Sequence, residues 1–118
     1  MAVIARSAVA SDFAVVLGEL LAAHTLEIDG APSVMWTFVK RQGRVWAFLD
    51  FAPGVTLSKP QGLALMHAMR QSLEGWEGHT VSAPCQKRKY PQAERVLGVL
   101  GFVRTNEIWN DAEVWVWE

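Results

Sequence analysis

A short segment near the middle of the chain has the residue types of a phosphate-binding helix start. It reads Lys59-Pro60-Gln61-Gly62-Leu63-Ala64 and directly follows Ser58. Unpaired main-chain N–H groups and the helix dipole favour an anion at such an end, and a glycine lets a phosphate approach the backbone closely. The alternative is an ordinary helix that begins with proline, since Pro60 has no N–H to donate. The candidate phosphate-binding residues are Lys59, Gln61, Gly62, Leu63 and Ala64.

The carboxylate best placed to act as a general base is Asp50. It lies in an otherwise apolar segment, residues 45–51, where burial would raise its pKa toward a range useful for taking up a proton. The alternative, which the pattern favours, is a residue at a strand end that faces solvent. Glu27 and Glu107 are weaker candidates. No metal site is predicted, because metal-ligand spacing is absent among His24, His67, His79 and Cys85.

Tryptophan is unusually frequent, with six residues in a chain of 118. On a two-residue period Trp115 and Trp117 share one face of the last strand, while Val114 and Val116 share the other. If the valines pack on the core, the tryptophans form an exposed patch, extended by Trp109, of the kind that contacts a partner protein. The alternative is that the tryptophans pack under a helix and the valines face outward. We expect the patch, and with it a homo-oligomer or a larger assembly.

The composition argues against several other classes of protein. A net charge of −1 does not suit a dedicated nucleic-acid-binding protein. A single cysteine cannot form an intramolecular disulfide, which favours a reducing compartment such as the cytoplasm. No apolar run approaches the ~20 residues of a membrane-spanning helix. With 51% hydrophobic residues, the chain is expected to form one domain, residues 1–118, around a core.

Hydrophobic periodicity and turn residues predict a succession of strands and helices. Helices are expected over residues 11–24, 60–75 and 90–100. Strands are expected over residues 2–8, 33–40, 45–51, 80–83, 104–109 and 113–117. The order β-α-β-β-α-β-α-β-β predicts an α+β fold in which three helices flank a mixed, mostly antiparallel sheet. The expected core includes Leu17, Leu49, Met69, Leu97 and Phe102.

Near the end of the chain, a short helix is followed by Gly-Phe. Apolar residues at helical spacing occupy residues 93–100, and Gly101-Phe102 comes directly after them. This arrangement resembles the end of the GCN5-related N-acetyltransferase (GNAT) fold, whose usual pattern is Asn-x-x-Ala-x-x-Leu-Tyr-x-x-x-Gly-Phe. Ala93 and Gly101-Phe102 match, whereas Tyr90 stands in place of the asparagine and Leu97 in place of the tyrosine. The order of elements is similar to the GNAT order with one early helix missing.

The resemblance implies where acetyl transfer would take place. The segment 59–64 is similar to the family's Gln/Arg-x-x-Gly-x-Gly/Ala pattern, so acetyl-coenzyme A would bind there. The family's catalytic acid, a tyrosine on the last helix, is replaced by Leu97. Tyr90 could substitute for it, with a capping or packing role as the alternative, and Asp50 would be the base. These departures favour no bound cofactor, with acetyl-coenzyme A as the alternative.

A second resemblance is to the short GNAT-like virion proteins of tailed phages. It rests on an early strand followed by Ser11-Asp12-Phe13, a degenerate phosphate segment and a short helix before the final hairpin. It implies a GNAT-fold protein that has lost the chemistry and works by contact with other protein subunits, in the cytoplasm or within a virion. The alternative is a small N-acetyltransferase that uses acetyl-coenzyme A and acts on an amine.

Overall fold

The computed structural model describes residues 3–7 and 19–118 of the chain. In this part of the chain, seven strands and two helices occur. In chain order they are β1 (Val3–Ser7), β2 (Glu19–Ile28), β3 (Ala31–Arg41), β4 (Arg44–Phe51), α1 (Lys59–Glu74), β5 (Val81–Cys85), α2 (Ala93–Leu100), β6 (Val103–Trp109) and β7 (Ala112–Trp117). Of these described elements, neither helix is long and apolar enough to cross a membrane.

The seven strands form one sheet in the order β1-β2-β3-β4-β5-β7-β6. The first four run as an antiparallel meander, β5 lies parallel to β4, and β7 lies antiparallel between β5 and β6. Three hairpins have tight turns, because both loop residues have positive φ at Asp29-Gly30, Gln42-Gly43 and Asn110-Asp111. The predicted class, an α+β fold with a mixed, mostly antiparallel sheet, is confirmed.

The helix predicted over residues 11–24 is wrong in its second part, where the chain forms a strand. β2 pairs with β3 from its first residue to its last. Leu20, which lies within the predicted helix, is 49% exposed. Pairing along a whole strand outweighs a local helical period, because intrinsic helix preference is weak. Residues 11–18, and with them the core prediction Leu17, lie outside the described residues.

The main core lies between the sheet and the two helices. Of the residues predicted to be in the core, Met69, Leu97 and Phe102 are buried, and Leu49 is partly buried against them. A smaller cluster lies on the opposite face of the sheet, since alternate residues of a strand point to opposite sides. It consists of Val39, Trp46 and Val114, with Phe48 and Trp109 packed against it. Both described helices therefore pack on one face.

The second helix ends where the sequence predicted, at Gly101. This residue has φ 98°, and the N–H of Phe102 donates to the carbonyl of Leu97 at 2.9 Å. A left-handed C-terminal residue of this kind is most often glycine, because a Cβ makes the conformation unfavourable. Gly98, by contrast, lies inside the helix, and a Cβ built there meets nothing within 4 Å.

The two glycines are expected to respond oppositely to substitution by alanine. Gly101→Ala should lower the free energy of unfolding by roughly 1–2 kcal/mol, because alanine pays the cost of the left-handed conformation. Gly98→Ala should raise it by roughly 0.5–1 kcal/mol, because glycine is the poorer residue inside a helix. Urea denaturation of both variants measures the difference. Shifts in the same direction would contradict the assigned end of the helix.

Candidate functional site

β4 and β5 are joined over a short stretch only. Among the described residues, their parallel ladder consists of two pairs, Val45 opposite Val81 and Trp46 opposite Ser82. Beyond these pairs β4 continues beside β3 to Phe51, and β5 continues beside β7. A cleft therefore opens between the carboxyl ends of the two strands, which is where ligands commonly bind in open sheets with parallel strands.

The cleft contains a cavity of about 600 Å³ between the sheet and the two helices. This volume falls within the ~300–1,000 Å³ that is typical of small-molecule sites. Most of its walls are apolar, and the polar side chains are concentrated in the segment that precedes α2. The walls include Ala47, Phe48, Leu49 and Phe51 from β4; Leu65, Met69 and Leu73 from α1; Val96, Leu97 and Leu100 from α2; and Gln86, Lys89, Tyr90 and Gln92 from the preceding segment.

The two residues predicted to be catalytic lie together at the end of β4. The Tyr90 hydroxyl is 3.5 Å from Oδ1 of Asp50 and accepts a hydrogen bond of 3.4 Å from the N–H of Phe51. Lys89 Nζ donates to the same carboxylate oxygen at 3.2 Å. Tyr90 and Lys89 line the cavity, whereas the Asp50 side chain is 39% exposed. Asp50 is thus partly exposed and connects to the cavity through Tyr90 and Lys89.

The ionisable groups of Lys89, Tyr90 and Asp50 lie close together at this site. The Tyr90 hydroxyl, and after it the Asp50 carboxylate, hold the pKa of Lys89 above its usual value by hydrogen bonding. Lys89 therefore remains a cation at neutral pH and lies 5.3 Å from the centre of the Tyr90 ring. The arrangement places a cation and a carboxylate beside the Tyr90 hydroxyl at the rim of the cavity.

The main chain of β4 lines one side of the cleft. The N–H of Ala52 donates to the carbonyl of Ser33 on the β3 side, whereas the N–H of Phe51 donates to Tyr90 on the opposite side. Because successive residues of a strand direct their polar groups to opposite sides, the groups of Ala47 and Leu49 share the side of Phe51. The N–H of Ala47 completes the ladder to Ser82, whereas the main-chain groups of Leu49 and the carbonyl of Ala47 lie beyond the ladder, on the side of the cleft.

The predicted phosphate segment forms the first turns of α1, and its own chain uses its donors. The N–H of Gln61 donates to Ser58 Oγ at 3.3 Å, and the side chain of Gln61 accepts from the N–H of Ser58 at 2.8 Å. The N–H of Gly62 donates to the carbonyl of Ser58 at 2.9 Å. This capping box, together with proline in the first turn, corresponds to the structural alternative for this segment.

The cavity walls also leave out these first turns. From β4 onward the lining runs to Thr56 and resumes at Leu65. Leu63 is 64% exposed, and a Cβ built at Gly62 meets nothing within 4 Å. The residues predicted to bind a phosphate therefore do not line the cavity.

The final hairpin has the opposite orientation from the one predicted. Trp115 is 8% exposed and belongs to the main core, and Trp117 packs against that core. Val114 points to the other face, into the smaller cluster. The prediction that Trp115 and Trp117 form an exposed patch is wrong, because the helices cover the tryptophan face. Trp109 lies on the other face, where its ring is 5.4 Å from that of Trp46.

Sequence reasoning missed most of the cavity walls. Phe48, Leu49 and Phe51 belong to a segment that is apolar on both faces, so its pattern does not show which residues line a cavity. Lys89 belongs to a basic run, residues 87–89, that is not among the predicted site residues. The part of the site that the sequence did indicate is the pair of Asp50 and Tyr90, although their contact spans 40 positions.

Comparison with known proteins shows similarity at the level of the fold. No protein-family model and no curated protein matches the sequence. A protein described as a GNAT-family acetyltransferase from Bordetella pertussis superposes with a TM-score of 0.54 at 16% identity, over 80% of this chain and 63% of that one. An acyl-CoA N-acyltransferase from Pseudomonas aeruginosa superposes with a TM-score of 0.51 at 17% identity, over 85% of this chain and 68% of that one.

This chain thus spans less than two thirds of the Bordetella protein. At such low identity the likeness concerns the arrangement of strands and helices, and it agrees with the order of elements and the Gly-Phe after α2. The chain has the fold of the GCN5-related N-acetyltransferases.

Proposed function

We propose that this protein binds an acyl thioester in the cleft between β4 and β5 and transfers the acyl group to an amine. The observation that carries the proposal is the divergence of these strands around an apolar cavity of about 600 Å³, with main-chain groups of β4 directed into it. Proteins described as an acetyltransferase and an acyl-CoA N-acyltransferase share the fold. Fold alone does not fix function, so the proposal rests on the cleft.

The side chains at the end of β4 suit acyl transfer. When an amine attacks a thioester, the amine gives up a proton and the departing thiolate takes one. Tyr90 lines the cavity and donates its hydroxyl proton to the departing thiolate. Asp50, within hydrogen-bond distance of that hydroxyl, takes the proton that the amine gives up and returns it to Tyr90, and Lys89 lies beside both groups. The carbonyl of Ala47 and the main-chain groups of Leu49 would orient an amide-bearing thioester arm along β4.

Tyr90→Phe tests the role of the hydroxyl. The variant keeps the ring, whose centre is 5.1 Å from that of Phe51, so the fold and the binding of a thioester should persist. Turnover with a set of primary amines should fall by about 10²-fold, the lower range for loss of a general acid. Thiol release measures turnover, and calorimetric titration with acetyl-coenzyme A measures binding. Equal turnover in the variant would remove Tyr90 from the chemistry.

A second candidate function is favoured by the closed start of α1 and by Leu97. The helix donors are used in the capping box, and the position of the family's catalytic tyrosine carries a buried leucine. In this case the protein is a GNAT-fold component without catalysis that assembles with other subunits, as in a phage virion. Absence of any thioester binding by calorimetry, combined with a mass above that of one chain in light scattering, would favour it over the enzyme.

A further inference from the structure

We propose that the donor is a thioester of a medium-length aliphatic acyl chain and that the protein recognises it by this chain rather than by a nucleotide diphosphate. This inference rests on the proposed function and names its substrate class. Two independent observations lead to it. One concerns the start of α1, where a diphosphate would have to bind, and the other concerns the depth and the lining of the cavity.

The start of α1 offers little to a diphosphate. Anion sites at helix starts depend on main-chain N–H groups that lack a partner. Here Gln61 and Gly62 donate to Ser58, and Pro60 has no N–H. An incoming diphosphate would have to displace a capping box, which satisfies the N–H groups of Ser58 and Gln61 reciprocally. Recognition through the nucleotide end therefore has a poor basis in this chain.

The cavity, by contrast, extends beyond what an acetyl group needs. It reaches residues that belong to the main core, among them Phe38, Leu73 and Leu100. The polar side chains of its lining stand mainly in residues 86–92, next to the end of β4. A ligand with its thioester beside Tyr90 would thus extend an apolar chain inward between α1 and α2. Each buried methylene then tightens binding by about fourfold.

The test is a calorimetric series with two sets of thioesters that carry acetyl, butyryl, hexanoyl and octanoyl groups. One set is built on coenzyme A and the other on pantetheine, which keeps both amides of the arm and lacks the nucleotide and all of its phosphates. We expect Kd to fall by about 16-fold for each added pair of methylenes until the cavity is filled. For a given acyl group, the two sets should bind within about threefold of each other, because a nucleotide end without a specific binding site adds little to the binding free energy.

Three variants sharpen the result. Gly62→Asp places a negative charge at the start of α1, in open space, and should leave the affinities for both sets unchanged. Val96→Trp narrows the cavity at a partly buried position and should shorten the best-bound acyl group. Val99→Trp adds the same side chain on the same helix at a position that is 52% exposed, and it should change nothing.

Different failures have different meanings. The inference would be overturned, and the proposed acyl transfer left intact, if coenzyme A thioesters bound more than about tenfold tighter than the thioesters of the same acyl group without the nucleotide, and if Gly62→Asp abolished their binding. An affinity that does not change with chain length would also overturn it. If neither set binds to the folded protein at all, the proposed function itself fails.

Discussion

Replacement of Trp115 by alanine should lower the free energy of unfolding by about 3–5 kcal/mol, the range for truncation of a buried tryptophan. The side chain is 8% exposed and packs within the main core. Its ring also lies 5.6 Å from the guanidinium of Arg104, which bonds Glu94 at 2.7 Å. Truncation removes the packing and the aromatic face against which Arg104 is held.

Val103→Ala is the control for Trp115→Ala. Val103 of β6 pairs with Val116, the residue after Trp115 in β7, but its own side chain is 68% exposed. Its truncation should therefore change the free energy of unfolding by less than about 0.5 kcal/mol. Urea denaturation measures both variants, and light scattering shows whether either changes the mass of the particle. A Trp115→Ala protein with wild-type stability but a smaller particle would restore the interface that the sequence suggested.

Leu97→Ala should cost about 2–5 kcal/mol of stability as a large-to-small change in a core. Leu97 is 9% exposed, lies on the inner face of α2, and forms part of the cavity wall. Because Leu97 lines an existing cavity, the space left by its truncation joins that cavity, and few neighbouring side chains can fill it. The loss should therefore persist rather than be repaired by collapse of the core.

Val99→Ala on the same helix is the matched control for this change. Its side chain is 52% exposed, so the variant differs from Leu97→Ala in burial far more than in helix preference. Thermal and urea denaturation of the two variants separate loss of packing from loss of helix formation. Equal stability of both would mean that the stripe of α2 does not face the core.

Local patterns in the sequence predicted the elements that local chemistry determines. α1 begins at Lys59 after Ser58, as a serine followed by proline indicates, and α2 ends before Gly101. α2 was predicted to begin at Tyr90, yet it begins at Ala93. The reason is tertiary, because the Tyr90 hydroxyl bonds the main chain of β4 and the residues before Ala93 form turns.

What could not be predicted depends on partners distant in the sequence. Over residues 19–24 the predicted helix gives way to a strand, because β3 pairs with residues 19–28 from end to end, with two register shifts. The two-residue period of β7 does not determine which of its faces packs against the helices. In the structure this is the face of Trp115. The cleft exists because the β4–β5 ladder stops after Trp46. No local pattern determines where such a ladder ends.

The two-pair ladder between β4 and β5 also makes the sheet divisible into two cooperative units. β1 to β4 form one unit of local hairpins, and β5 with the final hairpin forms the other. Across the seam, few main-chain hydrogen bonds oppose separation, and the shared core supplies most of the cohesion. We therefore expect amide protons along the seam to exchange through partial opening of the sheet, before the whole chain unfolds. A ligand bound in the cleft would contact both units and make this opening less favourable.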